Sequence, residues 1–406
     1  MGLLQRWRGL RRGAQRAVRG LKARVKPASA LYVYHPQYQG QESALVDAQR
    51  APRILNYLRR EGAISPGHLR SPPDVTIAQL ARVHSLDYLE RLGRPEEVLR
   101  ICATFDASAD PEQLLQQQRR MVAGTVMAAK LAVQPWAPRR PVVNLGGGLH
   151  HARAEQGAGF CLFHDVAVAI AQLRARGFGG RIMVIDLDLH QGDGTRAIFA
   201  RDPTVFTYSL HAVDWDDSPC DADFSLALGL SVGDERYLAA LRETLPGCMR
   251  GFRPELVFYV GGVDIAEDDR LGSWRVSHDG IFARDQYILE RVGALPLVWT
   301  LAGGYGPEAW RHSARSLAWL SASLGDPIPS AFDRDLRHFR RIARRLDPQD
   351  LMESDSVDFE FSEADVYGTL MGSRARTRLL GYYSRYGVEI ALERYGVMEV
   401  VRGAGY

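Results

Sequence analysis

Six apolar runs punctuate the chain: Leu31 to Tyr34, Val142 to Leu145, Ile182 to Leu189, Val205 to Leu210, Leu256 to Val260 and Leu297 to Leu301. Their length and near-continuous Val, Ile and Leu content suit strands buried on both faces, as in a parallel sheet. Stretches of helical period lie between them, for example Val166 to Arg176 and Glu235 to Leu245. Strands alternating with helices predict an α/β fold, a three-layer α/β/α sandwich around a mostly parallel central sheet. The polar residues of interest fall at or just beyond the C-terminal ends of these runs, which is where open α/β sheets bind ligands.

One run carries polar residues of its own, Asp186-Leu187-Asp188-Leu189-His190. In an extended strand alternate side chains share a face, so Asp186, Asp188 and His190 are expected to project together. Burying two carboxylates and an imidazole on an apolar strand is costly unless they are paired or bind a cation. Asp188, His190 and Asp264 would supply three protein ligands and leave coordination positions open, the pattern of a catalytic metal site. The ligand set suits zinc, with ferrous iron as the competitor. The adjacent His150-His151 pair is the candidate proton-handling unit, with Asp186 and Asp193 as acidic partners to set the tautomers. Tyr305 follows Gly303-Gly304, which let backbone approach a ligand, so its phenol is a candidate donor to an oxyanion. Each signal alone is weak, since a His-His pair or a Gly-Gly-Tyr turn is commonplace. Their joint occurrence in this order carries the argument.

Together, His150-His151-Ala152, Gly159-Phe160-Cys161, the Asp186 to His190 run, Ser209-Leu210-His211, Asp264 and Gly303-Gly304-Tyr305 resemble the zinc-dependent histone deacetylase family of the arginase/deacetylase superfamily. The likeness runs from about Leu31 to about Leu324. His190-Gln191-Gly192-Asp193-Gly194-Thr195, Val83 to Tyr88 and Asp269 to Gly272 most resemble the class IV branch and bacterial histone-deacetylase-like amidohydrolases. The resemblance implies the arginase/deacetylase fold and assigns Asp188, His190 and Asp264 to zinc. It pairs His150 with Asp186 and His151 with Asp193, the second pair being the main general base and acid. It makes Tyr305 the residue that polarises the amide carbonyl, Phe160 a tunnel wall and Gly159 a backbone acceptor beside it. It also implies a structural potassium site at Asp186, Asp188, His190, Ser209 and Leu210. Arg50 aligns loosely with a basic residue at an acetate-release channel.

Departures from the family pattern are specific. His164 stands where asparagine is usual. The acidic segment from Ala212 to Leu228 leaves the second aromatic wall undefined, with Trp215 as its candidate. The gatekeeper position seven residues after Asp264 is the apolar Leu271, which argues against a polyamine and for a neutral or apolar acyl group.

Composition fits a soluble enzyme core. The 406 residues suffice for one large α/β domain plus something smaller. The four cysteines show no metal-finger or disulfide spacing, and no run approaches a membrane span, so a reducing cytoplasm is the default. The ends are unusual. Residues 1–30 hold nine basic residues and no acidic one, so against a total of +3 the remainder carries 3 − 9 = −6. Leu3, Trp7, Leu10, Ala14, Val18, Leu21 and Val25 form one apolar stripe of a basic amphipathic helix. It suits either a peripheral membrane anchor or a surface packed on the core, with a mitochondrial presequence as a third reading. Specific nucleic-acid binding is not expected from an acidic core. Residues 325–406 read as an accessory region of structural role, which would pack on the core, form a homo-oligomer or shape the tunnel mouth.

The expected organisation is thus an N-terminal helix over 1–30, a catalytic domain over 31–324 and an accessory region over 325–406. The expected function is zinc-dependent removal of an acyl group, acetyl or fatty, from lysine on a protein or peptide or from a small acylated amine. The rivals are an acetylpolyamine amidohydrolase and a non-catalytic acyl-binding module.

Overall fold

All five residues of Ile182–Asp186 are buried, and successive side chains enter different cores: Ile182 and Val184 one, Met183 and Ile185 the other. A strand apolar on both faces must sit inside a sheet that helices cover on both sides. The computed structural model describes residues 30–40, 47–60, 63–102, 109–134 and 141–323. The N-terminal basic helix and the accessory region from 325 onward lie outside the described residues.

The strands are β1 (Leu31–Val33), β2 (Leu69–Arg70), β3 (Val142–Asn144), β4 (Ile182–Asp186), β5 (Val205–His211), β6 (Asp223–Ala227), β7 (Leu256–Val260) and β8 (Leu297–Thr300). They form one sheet in the order β2-β1-β3-β8-β7-β4-β5-β6. Every neighbouring pair is parallel. The helices are α1 (Arg50–Arg60), three short ones, α2 (Ile77–Leu80), α3 (Leu86–Arg91) and α4 (Pro95–Ile101), then α5 (Pro111–Ala132), α6 (Asp165–Arg174), α7 (Asp193–Phe199), α8 (Asp234–Phe252), α9 (His278–Val292) and α10 (Ala309–Ser323). One core gathers α1, α8, α9 and α10 against the sheet, and the other gathers α3, α5 and α6. The expected three-layer α/β/α sandwich is the observed architecture.

The differences have local causes. β4 stops at Asp186, three residues short of the apolar run, because Asp188 and Leu189 donate their N–H groups to carboxylates rather than to a neighbouring strand. β6 lies within the acidic segment read as loop; its residues are all half-buried, as suits a strand at the sheet edge paired only with β5. The two-residue β2 is too short to show any periodicity. Helix α8 continues through Pro246 to Phe252, where Arg253 ends it in the left-handed region. Among the described residues no helix is long and apolar enough to cross a membrane.

Because Ile185 is fully buried one residue before the polar exit of β4, Ile185→Ala should cost about 2–5 kcal/mol of unfolding free energy. A denaturant titration with unchanged slope would read this directly, and a loss below about 1 kcal/mol would show that the centre of the sheet repacks freely.

Candidate active site

Four parallel strands, β3, β4, β7 and β8, end side by side, and the segments after them carry the candidate residues. After β3 the chain turns through Gly147 and Gly148, both with positive φ. A Cβ on Gly148 would lie 2.6 Å from the Ala302 side chain, so only glycine lets this turn pack on the exit of β8. Asp165, fully buried at the start of α6, accepts from the N–H groups of Gly148 (3.0 Å) and Leu149 (2.8 Å) and from the Thr125 hydroxyl (2.6 Å). That carboxylate holds the turn which delivers His150 and His151.

The carboxylates around the exit of β4 accept from its backbone N–H groups. Asp186 Oδ1 accepts from Asp188 N (3.2 Å), Asp188 Oδ1 from His190 N (3.0 Å) and Asp264 Oδ1 from Leu189 N (3.0 Å). The expectation that Asp186, Asp188 and His190 share a strand face is therefore corrected: the three lie at and after a strand end, and these turns, not pleating, bring them together. His190 Nδ1 stands 3.1 Å from Asp188 Oδ1 and 3.0 Å from Asp264 Oδ2, and the three ligand atoms lie within 4.8 Å of one another. Gly303 N donates to Asp188 Oδ2 (2.8 Å), and a Cβ at Gly303 would lie 2.5 Å from Asp264 Oδ2.

The electrostatics of this trio suit a cation. Burial opposes a proton on His190, but the hydrogen bonds of Asp188 and Asp264 outweigh it and lift the ring to about 11. Burial, with Asp188 beside it, pushes Asp264 up to about 7. Two carboxylates and an imidazole that hold positive charge so firmly form a donor set fit for a divalent ion.

The two histidine pairs assemble as expected. His150 Nδ1 donates to Asp186 Oδ2 (2.7 Å) and His151 Nδ1 to Asp193 Oδ1 (2.6 Å), with ring centroids 4.1 Å apart. Burial disfavours charge on both rings. At His150 the combined pull of Asp186 and Asp188 wins and lifts it to about 9. At His151 burial and the neighbouring His150 win over Asp193, and the ring falls to about 4. Arg153 pairs with the other oxygen of Asp193 (3.0 Å).

Trp215 lies parallel to the His151 ring, centroids 4.3 Å apart and 9° between planes, and edge-on to His190 at 5.4 Å. Its loop is pinned. Gln191 Oε1 accepts from Trp215 N and Asp216 N (both 2.7 Å), Arg153 reaches Asp216 Oδ2 (2.9 Å) and Arg196 donates to Asp216 O (2.5 Å). On the other side the Phe160 and Tyr305 rings are 5.9 Å apart. A cavity of about 220 Å³ runs past Asp188, His150, His151, Gly159, Phe160 and Tyr305 and continues between α1 and α5. Arg50 lines it but spends its guanidinium on the carbonyls of Leu301, Ala302 and Gly303. Leu271 is half-buried in a turn and is not among the lining residues. Ser209 pairs in register with Asp186 across β4 and β5, which sets Ser209 and Leu210 beside the first of the carboxylates.

Sequence reasoning gave no role to Asp165, Arg153, Gln191 or Asp269, although Gln191 and Asp269 fell within motifs it singled out. Their partners are mostly backbone groups or loops distant in sequence, and only the acidic residue opening the apolar run at Asp165 gave a local signal.

His164 is buried behind this site. Its Nδ1 accepts from Ala167 N (3.1 Å) and its Nε2 donates to Thr195 Oγ1 (3.0 Å), which fixes a neutral tautomer. Its own N–H donates to His84 Nε2 (3.0 Å), and His84 Nδ1 donates to the Arg153 carbonyl (3.0 Å). Burial, then His84, pushes His164 down to about 3, and burial pushes His84 down to about 4. An unfolded histidine titrates near 6.5, so below that pH the unfolded chain binds protons the folded one refuses. Stability from these two rings is present above about pH 6.5 and is lost as pH falls towards 4 and 3. His164→Asn should therefore shrink the fall in Tm between pH 7 and pH 4, by an amount equivalent to a few kcal/mol. Equal falls in wild type and variant, measured by calorimetry, would contradict this.

Comparison with known proteins agrees with the geometry. The histone deacetylase domain matches residues 45–320. Histone deacetylase 2 of Arabidopsis thaliana is 35% identical over 291 residues, covering 68% of this chain and 73% of that protein. An uncharacterized protein of Picosynechococcus is 33% identical over 297 residues, covering 69% of this chain and 95% of its own. The acetoin utilization protein AcuC of Staphylococcus aureus is 25% identical over 332 residues, covering 74% and 83%. The crystal structure of the HDA15 HD domain shares the fold, with a TM-score of 0.60 at 21% identity over 75% of this chain and 90% of that one. The chain belongs to the histone deacetylase family.

Proposed function

We propose that this hydrolase is a zinc-dependent deacylase that cleaves the amide of an acyl-lysine. The observation that carries the reading is the meeting of the Asp188-His190-Asp264 trio, two His–Asp pairs and Tyr305 at one cavity. Zinc held by Asp188, His190 and Asp264 would supply Lewis acidity to the carbonyl and a water of lowered pKa. His151, its Nδ1 committed to Asp193, has Nε2 left to take a proton from the attacking water and return it to the leaving amine. His150, its Nδ1 committed to Asp186, would support the charge that develops near the oxyanion. The Tyr305 phenol, which burial and then Asp188 and Asp264 keep protonated, is the donor to that oxyanion.

Phe160 lines the cavity beside Tyr305 and its ring suits the aliphatic stem of lysine, while Trp215 stacks on His151. The apolar part of the cavity wall, with Met121, Leu145, Leu149 and Leu301, favours acyl chains longer than acetyl. A potassium ion held by the Asp186–Leu210 group would brace β4 against β5 from behind.

A panel of acyl-lysine peptides, acetyl through myristoyl, tests the reading with metal content measured in parallel. Asp188→Asn should lose bound zinc and all turnover, and Tyr305→Phe should keep zinc but lose about 10²–10³ in kcat. Absence of wild-type turnover on every chain length, with zinc bound, would reject the lysine deacylase and move attention to acetylated polyamines. Equal turnover of all chain lengths would remove only the long-chain preference.

A further inference from the structure

The turn that follows Asp264 ends in two adjacent carboxylates, and each reaches into the segment carrying Tyr305. Asp269 Oδ2 accepts from the backbone N–H of Tyr305 (2.6 Å) and of Gly306 (3.0 Å). Its Oδ1 accepts from the N–H of Leu271 and of Gly272, both at 2.9 Å. Asp268 Oδ1 accepts from His312 Nε2 (3.0 Å) on α10, the helix that Tyr305 leads into. Four N–H groups from two separate turns thus converge on one carboxylate. An ionised carboxylate has lone-pair sites for all four, and charge-assisted bonds of this kind are the stronger sort.

The backbone around Tyr305 has little other freedom to lose. Gly304 has φ +151°, open only to glycine, and a Cβ there would lie 2.8 Å from the Arg50 guanidinium. A Cβ at Gly306 would lie 2.8 Å from the Asp268 carbonyl. Arg50 holds the carbonyls of Ala302 (2.7 Å) and Gly303 (3.1 Å), so the segment is gripped by a cation through its oxygens and by an anion through its nitrogens. The phenol of a tyrosine is far from its own main chain, and a small rotation of the backbone swings it through a large arc. Catalytic benefit from a hydrogen-bond donor depends on its standing where charge develops, and a displacement of about 1 Å can cost about 100-fold.

We infer that Asp269 is a positioning residue for Tyr305, fixing the tyrosine backbone for its role at the oxyanion and tying it to the turn that holds Leu271. This rests on Tyr305 being the oxyanion donor proposed above. One carboxylate thereby joins the turn and the tyrosine backbone.

The test uses the full chain, zinc-loaded, with Asp269→Asn. The amide keeps the size of the side chain but turns an NH2 group towards two of the N–H donors. Peptide-resolved hydrogen exchange should show the Tyr305 and Gly306 amides exchanging at least about tenfold faster, with β4 and β7 unchanged. On whichever acyl-lysine peptide the wild type turns over, kcat should fall about 10- to 100-fold with KM within about twofold. In a Tyr305→Phe background the same substitution should cost less than about twofold further, because no donor remains to be positioned. Unchanged exchange at Tyr305 and Gly306, or a full multiplicative loss in the Tyr305→Phe background, would overturn the inference. A rise in exchange throughout the sheet would mean that Asp269→Asn fails to fold. Asp269→Glu, which keeps the acceptors one methylene away, then carries the same two readouts and should recover part of kcat. Wild type without turnover defeats the deacylase reading, while the exchange result still decides the role of Asp269.

Discussion

Asp165, Asp186, Asp188 and Asp264 are almost wholly out of water within one neighbourhood, and the rest of the structure is arranged around that burial. A lone carboxylate in such a place would take up a proton rather than stay charged. Burial does push Asp165, Asp186 and Asp264 upward, and what resists it differs at each. Asp165 is opposed by Thr125 and by the N–H groups of Gly148 and Leu149. Asp186 is opposed by His150, and Asp264 by His190. Their partners come from the exits of β3 and β4 and, for Asp165, also from α5, so these carboxylates are satisfied only when those segments meet. The site and the sheet are therefore one electrostatic problem with one solution.

The same logic separates the two histidines. They adjoin in sequence and both donate to a carboxylate, yet their partners stand in different company. Asp186 shares His150 with a second carboxylate, Asp188, 3.6 Å from His150 Nε2. Asp193 shares its charge with Arg153, a cation that also holds Asp216 and the loop of Trp215. Burial disfavours charge on both rings, but two anions outweigh it at His150, whereas at His151 burial and the neighbouring His150 outweigh Asp193. Adjacent imidazoles thereby favour opposite charge states.

Much of this was legible in the chain. The six apolar runs correspond to six of the eight strands, and the grouping of Asp188, His190 and Asp264 followed from chemistry rather than from periodicity. The strand-face argument for Asp186, Asp188 and His190 named three residues that do lie together, but by the wrong geometry, since Asp and Asn side chains that bond backbone two residues on end strands rather than decorate them. β6 was hidden because an edge strand with both faces half-exposed shows no apolar run. Asp165 and Asp269 were hidden for another reason. Their partners are backbone N–H groups, which leave no trace in residue identity, and a carboxylate that serves remote backbone reads like any surface aspartate.

The order of the sheet has a bearing on how the molecule comes to exist. Among the described residues β8 is the last strand in sequence, yet it lies between β3 and β7, pairing Val142 with Val298 on one side and Val257 with Leu297 on the other. Until β8 is inserted, the strand that delivers His150 and His151 has no neighbour on the side of the metal-binding trio. Pairings between segments so far apart in sequence are slow to form, because the chain must close a long loop before any contact rewards it. A nascent chain that has reached α9 already holds Asp188, His190 and Asp264, yet the histidine pair and the tyrosine have not met them. The trio, the histidine pair and the Tyr305 segment can therefore meet only once β8 is in place.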